Sequence, residues 1–113
     1  MIVIASKYLI PKGYTAMALF PFIILRDKRM KTNYKLINHE RIHLRQQLEM
    51  LIIPFYICYV TEYFMLLARY KDKQKAYHNI SFEREAYSND SELNYLKTRP
   101  LFNFINYFPT DSK

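Results

Sequence analysis

The centre of the chain reads Asn38-His39-Glu40-Arg41-Ile42-His43-Leu44-Arg45-Gln46-Gln47. Positions 36, 39, 43, 47 and 50 follow the three-to-four spacing of one face of an α-helix. Residues four apart on a helix lie one turn above each other, so His39 and His43 point to the same side. Glu40 lies on the neighbouring part of that surface. The sequence therefore predicts a helix that presents two imidazoles and a carboxylate together.

This set of side chains suits a catalytic zinc ion. Zinc accepts imidazole nitrogens at about 2.0–2.1 Å, and a catalytic site adds a third protein ligand and an open position. Glu40 is placed to take a proton from water at that position rather than to bind the metal. The chain has only 3 histidines, and two of them lie in this pattern. We therefore predict a Zn²⁺ site on His39 and His43 with Glu40 as general base. The simpler alternative is a pair of helix histidines beside an acid.

A third ligand is expected from a later element, and the best segment is Ile80–Tyr87. Glu83 follows His43 by 40 residues, which leaves room for one intervening helix and a return. If a helix starts near residue 81, Glu85 projects about 200° away from Glu83, so only one of them faces the metal. His78 is a further candidate. The sequence ranks Glu83 first, Glu85 second and His78 third.

These motifs resemble those of the gluzincin metallopeptidases, which pair the two histidines of His-Glu-x-x-His with a downstream glutamate. In thermolysin-like and prenyl-protein-peptidase-like members the glutamate opens a helix, often as Glu-x-x-Ala-Asp. The segment 83–87 is similar, with Glu83 at the ligand position and Tyr87 where an aspartate usually supports a histidine. The extension through Gln46-Gln47 also resembles small, minigluzincin-like bacterial domains. The resemblance implies zinc on His39, His43 and Glu83, and hydrolysis of a peptide or protein substrate.

The expected fold is a single α+β domain over residues 1–113, zincin-like and small. We predict an edge strand, then the His-Glu-x-x-His helix, then two or three further helices. Thr15–Leu25 is the strand candidate, and its apolar residues fall on both faces. Pro21 cannot donate a ladder hydrogen bond, which favours a sheet edge where an extended peptide can dock. Pro54 should kink the central helix or start a second one.

The segment Phe55–Tyr70 is strongly apolar and aromatic. Together with residues 50–54 it approaches the roughly 20 residues that cross a bilayer. Glu62, Pro54 and the many tyrosines favour a buried core helix instead. The lysines that follow, at positions 71, 73 and 75, make peripheral membrane contact an option.

Several further side chains are candidates for supporting roles. Tyr77 or Tyr87 could donate a hydrogen bond to the developing oxyanion. Gln46 and Gln47 could orient ligands or be helix-surface amides. Glu62 could accept from a histidine N–H, or pair with a basic residue in the core.

Composition limits the function classes. The formal net charge is +7, but no nucleic-acid-binding signature accompanies it, so we expect no nucleic-acid partner. A single glycine argues against a Gly-rich phosphate loop, and a single cysteine excludes an intrachain disulfide. The first residues do not read as a secretory signal, so a cytoplasmic protein is expected. The alternative to a peptidase is a non-catalytic gluzincin-like protein for interaction or regulation, with membrane association as an option.

Overall fold

The computed structural model describes residues 2–108, in which five α-helices and two 3₁₀ helices accompany a three-stranded sheet. The strands are β1 (Ile2–Ala5), β2 (Ala16–Leu19) and β3 (Phe22–Leu25). The α-helices are α1 (Tyr34–Glu49), α2 (Ile53–Tyr70), α3 (Lys73–Asn79), α4 (Ser81–Asn89) and α5 (Tyr95–Thr98). The 3₁₀ helices span Lys28–Thr32 and Asn103–Tyr107. The predicted α+β class is confirmed for this part of the chain.

The sheet is mixed, with strand order β1-β3-β2. β3 pairs in parallel with β1 and antiparallel with β2. The prediction of one strand over Thr15–Leu25 is therefore wrong, because Phe20 and Pro21 separate two strands of a hairpin. Proline cannot continue the ladder, and here it turns the chain. The expected edge strand is β2, whereas β3 is central, and Ile23, Ile24 and Leu25 in β3 are buried.

Helix α1 begins at Tyr34 because the side chain of Asn33 accepts a hydrogen bond from the Leu36 N–H at 3.1 Å. One side of α1 packs Leu44 against Ala18, Ile23 and Leu25 of the sheet. Its other buried side is polar and faces α4. The helix thus lies between an apolar cluster and the polar groups described below.

Helix α2 starts at Ile53 with Pro54 in its first turn, so the proline begins a new helix rather than kinking α1. The prediction of a buried core helix is wrong, since only Phe55 and Leu66 of α2 are fully buried. The aromatic side of α2 faces the protein, and its aliphatic side is exposed. No single helix within residues 2–108 is long and apolar enough to cross a membrane. The pair α1 and α2 passes that test only together and is bent by 114°.

Four α-helices follow α1 in the described residues, whereas the sequence predicted two or three. Helix α3 forms in the charged segment that follows α2. The carboxylate of Asp72 accepts from the backbone N–H groups of Gln74 and Lys75, and this cap starts the helix. Helices α2 to α4 and the second 3₁₀ helix enclose a second cluster, which contains Phe55, Leu66, Ala76, Ile80, Phe82 and Phe104.

Candidate metal centre

Three buried side chains from α1 and α4 converge on one point: His39, His43 and Glu83. The two histidine Nε2 atoms lie 3.2 Å apart. The Oε1 atom of Glu83 lies 3.2 Å from Nε2 of His39 and 3.1 Å from Nε2 of His43. The three atoms therefore form a nearly equilateral triangle. Of the three candidates for the third position, Glu83 is the one that reaches both imidazoles.

The other nitrogen of each ring is held by a fixed acceptor. Nδ1 of His39 lies 3.0 Å from Oδ2 of Asp90, and Nδ1 of His43 lies 2.8 Å from Oε1 of Gln46. The amide of Gln46 is oriented by its own Nε2, which donates to the carbonyl of Phe82 and to Oε1 of Glu85. Since both partners accept at these positions, each Nδ1 carries a proton.

If both imidazoles were neutral, their Nε2 lone pairs would point toward each other and toward a carboxylate oxygen. Such an arrangement repels itself unless a proton or a cation lies between the three atoms. Ligand atoms of a tetrahedral zinc ion, at the usual bond lengths, lie about 3.3 Å apart. The residues present therefore fit a divalent metal with at least one open position.

Glu83 is prepared to bind through one oxygen. Its Oε2 atom accepts a hydrogen bond of 2.5 Å from the hydroxyl of Tyr59, which leaves Oε1 to the histidines. Burial raises the pKa of the Glu83 carboxyl, but the neighbouring His43 and His39 lower it by more, so its pKa falls well below the ordinary value. Burial raises the pKa of Tyr59, which keeps its proton on the donating oxygen. Glu83 is thus an anion beside the two rings.

His43 shows the same coupling from the other side. Burial lowers the pKa of this imidazole, but the carboxylates of Glu83 and Glu40 and the contact with Gln46 raise it to about 9. Without a metal, a proton on His43 offsets the buried carboxylate of Glu83. A divalent cation would take over that role and release the proton.

Glu40 is buried and lines the same cavity as His43 and Glu83. Burial is the main cause of the raised pKa of its carboxyl, while the two histidines oppose the shift. The cavity holds about 390 Å³ and is otherwise mostly apolar and aromatic, with Met17, Phe55 and Tyr56 in its wall. A carboxyl with a raised pKa beside a metal position is suited to moving a proton.

The two alternative third ligands lie elsewhere. Glu85 is 0% exposed, and its carboxylate accepts from Arg99, Gln46 and the hydroxyl of Tyr95. Glu85 therefore does not join His39 and His43. His78 is exposed and contacts the rings of Tyr77 and Tyr87. Glu85 acts on the candidate centre only indirectly, by fixing the amide of Gln46 that orients His43.

Two residues at the centre were missed from the sequence. The carboxylate of Asp90 lies 3.0 Å from Nδ1 of His39, and Asp90 follows Glu83 by seven residues, on the same helical face. Tyr59 holds Glu83 from α2. The spacing from Glu83 to Asp90 could have identified the first. No local pattern distinguishes Tyr59 from the other tyrosines of its helix.

The other candidates for supporting roles make the following contacts. Glu62 accepts hydrogen bonds from the N–H and the hydroxyl of Ser81, both at 2.8 Å. It therefore caps the first turn of α4 and does not accept from a histidine. Gln47 binds the edge strand, accepting from the N–H of Phe20 and donating to the carbonyl of Ala18. Gln46 does orient a candidate ligand. The ring of Tyr87 packs on His39 at 4.4 Å between centroids.

No protein-family model matches the sequence, and comparisons with curated proteins and with solved structures also give no match.

Proposed function

We propose that this protein is a zinc-dependent metallopeptidase of the gluzincin type, with His39, His43 and Glu83 as ligands and Glu40 as general base. The observation that carries the proposal is the triangle of two Nε2 atoms and one carboxylate oxygen, with edges of 3.1–3.2 Å. Its supporting partners, Asp90 and Gln46, set both rings in the tautomer that binds metal.

Bound at this position, Zn²⁺ would act as a Lewis acid that makes water acidic near neutral pH and polarises a peptide carbonyl. The carboxylate of Glu40 accepts the proton of the attacking water. After the carbon–nitrogen bond breaks, Glu40 donates that proton to the leaving amine. Its raised pKa favours both transfers, because a carboxyl that is too acidic would not retain the proton between them.

The cavity beside Glu40 offers space for one side chain of an extended peptide, in an apolar and aromatic wall. The peptide backbone would pair with the edge of β2. The carbonyl of Ala18 already accepts from Gln47 and from the hydroxyl of Tyr56, so pairing is expected beside Ala16.

The deciding experiment compares the native protein with Glu40→Gln. Metal content is measured on the purified proteins, and cleavage is followed by mass spectrometry on an unfolded protein substrate. We expect one zinc per chain in both proteins and at least a hundredfold loss of cleavage in Glu40→Gln, consistent with general-base catalysis.

The matched control is Glu92→Gln, because Glu92 is exposed and lies outside the candidate centre. It should retain native cleavage. Equal cleavage by native protein and Glu40→Gln would refute the catalytic role of Glu40. Stoichiometric zinc without any turnover in the native protein would favour the non-catalytic alternative, a metal-stabilised protein for interaction or regulation.

A further inference from the structure

The exposed side of α2 forms an apolar surface, which we name the outer face of α2. It consists of Ile53, Ile57, Val60, Phe64 and Met65. The spacing of four, three and four residues keeps the first four side chains in one stripe along the helix, and Met65 lies beside this stripe. Ile57, Phe64 and Met65 are 62%, 60% and 65% exposed. A contiguous apolar surface of this kind marks an interaction site.

The orientation of α2 is the reverse of that in an ordinary surface helix. Its inner side carries polar and aromatic residues that bind the domain, where Glu62 caps α4 and Tyr59 holds Glu83. Hydrogen bonds to the domain therefore fix the rotation of the helix. The aliphatic side cannot turn inward without breaking the contacts that position the candidate metal centre.

A basic segment follows the outer face. Lys71, Lys73 and Lys75 are exposed, and Asp72 is the only acid between residues 63 and 82. The carboxylate of Asp72 is engaged in capping α3. The end of α2 thus joins an aliphatic stripe to a concentrated positive charge.

We propose that the outer face of α2 docks on the surface of a lipid bilayer that contains anionic lipids. An interfacial helix places its apolar side chains at the boundary of headgroups and acyl chains, while lysines bind the lipid phosphates. An anionic bilayer supplies both complements at once, an apolar layer along the helix and negative charge at its end. The outer face runs from Ile53 to Met65, which gives a contact about 18 Å long.

The docked helix lies in the plane of the interface and does not cross it, because its inner side stays bonded to the domain. Tyr56, Tyr59 and Tyr63 on that inner side line the cavity beside the candidate metal centre. Docking therefore leaves the cavity open and holds it about one helix diameter, roughly 10 Å, from the lipid surface.

The chain contains no tryptophan, so a single introduced indole reports its own surroundings. Phe64→Trp places the reporter on the outer face, and Tyr34→Trp places it on α1 at a residue that is 68% exposed. Each full-length protein is mixed with phosphatidylcholine vesicles containing 30% phosphatidylglycerol. We expect a blue-shifted emission and quenching by brominated acyl chains for Phe64→Trp only.

Binding is then measured by vesicle flotation. The double variant Ile57→Glu with Phe64→Glu should bind at least a hundredfold more weakly. The matched control is Leu101→Glu, because Leu101 is an apolar residue outside α2 and is 76% exposed. This variant should bind the vesicles as the native protein does. Replacing Lys71, Lys73 and Lys75 with glutamine should weaken binding on the order of a hundredfold and remove most of its salt dependence. Circular dichroism and melting temperature verify that each variant folds.

The proposal is overturned if native protein does not float with the anionic vesicles at low salt, or floats equally with pure phosphatidylcholine. A second refuting result would be a dimer in sedimentation that dissociates on changing Ile57 and Phe64, with no vesicle binding. The outer face would then be an interface between two copies of the chain. Repeating the flotation with a chelator should give the same result. The proposal of membrane docking and the proposal of metal-dependent hydrolysis can therefore be refuted independently.

Discussion

Replacing Asp90 with alanine tests how much of the metal affinity depends on the group behind His39. The carboxylate of Asp90 lies 3.0 Å from Nδ1 of His39, and both residues are buried. A hydrogen bond to a charged acceptor contributes about 1.5–3 kcal/mol. Loss of a group that orients a metal-binding histidine typically weakens binding by about 10–100-fold, which is roughly 1.4–2.8 kcal/mol. The two ranges agree, so we expect the zinc dissociation constant of Asp90→Ala to rise about 10–100-fold.

The assay is a competition titration of the metal-free protein against a chromophoric zinc chelator. Two matched variants separate orientation from charge. Asp90→Asn keeps an oxygen that can accept from His39 and should lose less than about tenfold. Lys35→Ala removes the exposed ammonium that lies 4.0 Å from Oδ1 of Asp90 and should bind zinc as the native protein does.

The melting temperature of the metal-free proteins is recorded in parallel, since a buried Nδ1–H without an acceptor costs stability whether or not a metal binds. The carbonyl of Asp90 still accepts from Asn38 in every variant, so the end of α4 stays anchored. If Asp90→Ala folds and binds zinc with native affinity, the reasoning that this carboxylate prepares His39 as a ligand is refuted.

Three further outcomes are expected. Metal analysis should show that Glu83→Gln folds without zinc, whereas His78→Ala and Glu85→Gln retain zinc. Denaturant unfolding should show that Glu85→Gln loses about 3 kcal/mol of stability. Chelation should lower the melting temperature by roughly 10–20 °C relative to protein with zinc at a hundred times its dissociation constant, measured by calorimetry. Tyr59→Phe should weaken zinc binding about tenfold in the competition titration, whereas Tyr34→Phe should leave it unchanged.

The helical part of the fold was readable from local patterns. The three-to-four spacing around His39 and His43 predicted α1, and Pro54 marked the start of α2. The sequence did not predict the hairpin, because β2 and β3 together form one apolar run and their boundary depends on the turn at Pro21. The burial of α2 was misjudged because its high hydrophobicity does not reveal which side faces the protein.

The glutamates of α4 show where sequence information ends. Helical geometry indicated that Glu83 and Glu85 face opposite ways, but it could not indicate which one faces α1. That choice depends on Arg99, a residue 14 positions later, which binds Glu85 and also reaches Glu49 at the end of α1. The rotation of α4 is therefore set by a buried ion pair of long sequence separation, which no local motif contains.

The same reasoning explains why α1 buries so many polar residues. Asn38, Gln46 and Gln47 each donate to backbone carbonyls of other elements, so these amides tie α1 to the sheet and to α4. Burying them without such partners would cost stability. Against this well-bonded background, the Nε2 atoms of His39 and His43 face each other and an anionic oxygen. Three buried acceptor atoms that need a proton or a cation between them are expected at functional sites more often than in a purely structural core. A divalent cation would resolve the conflict, and the surrounding hydrogen bonds keep the three atoms close together.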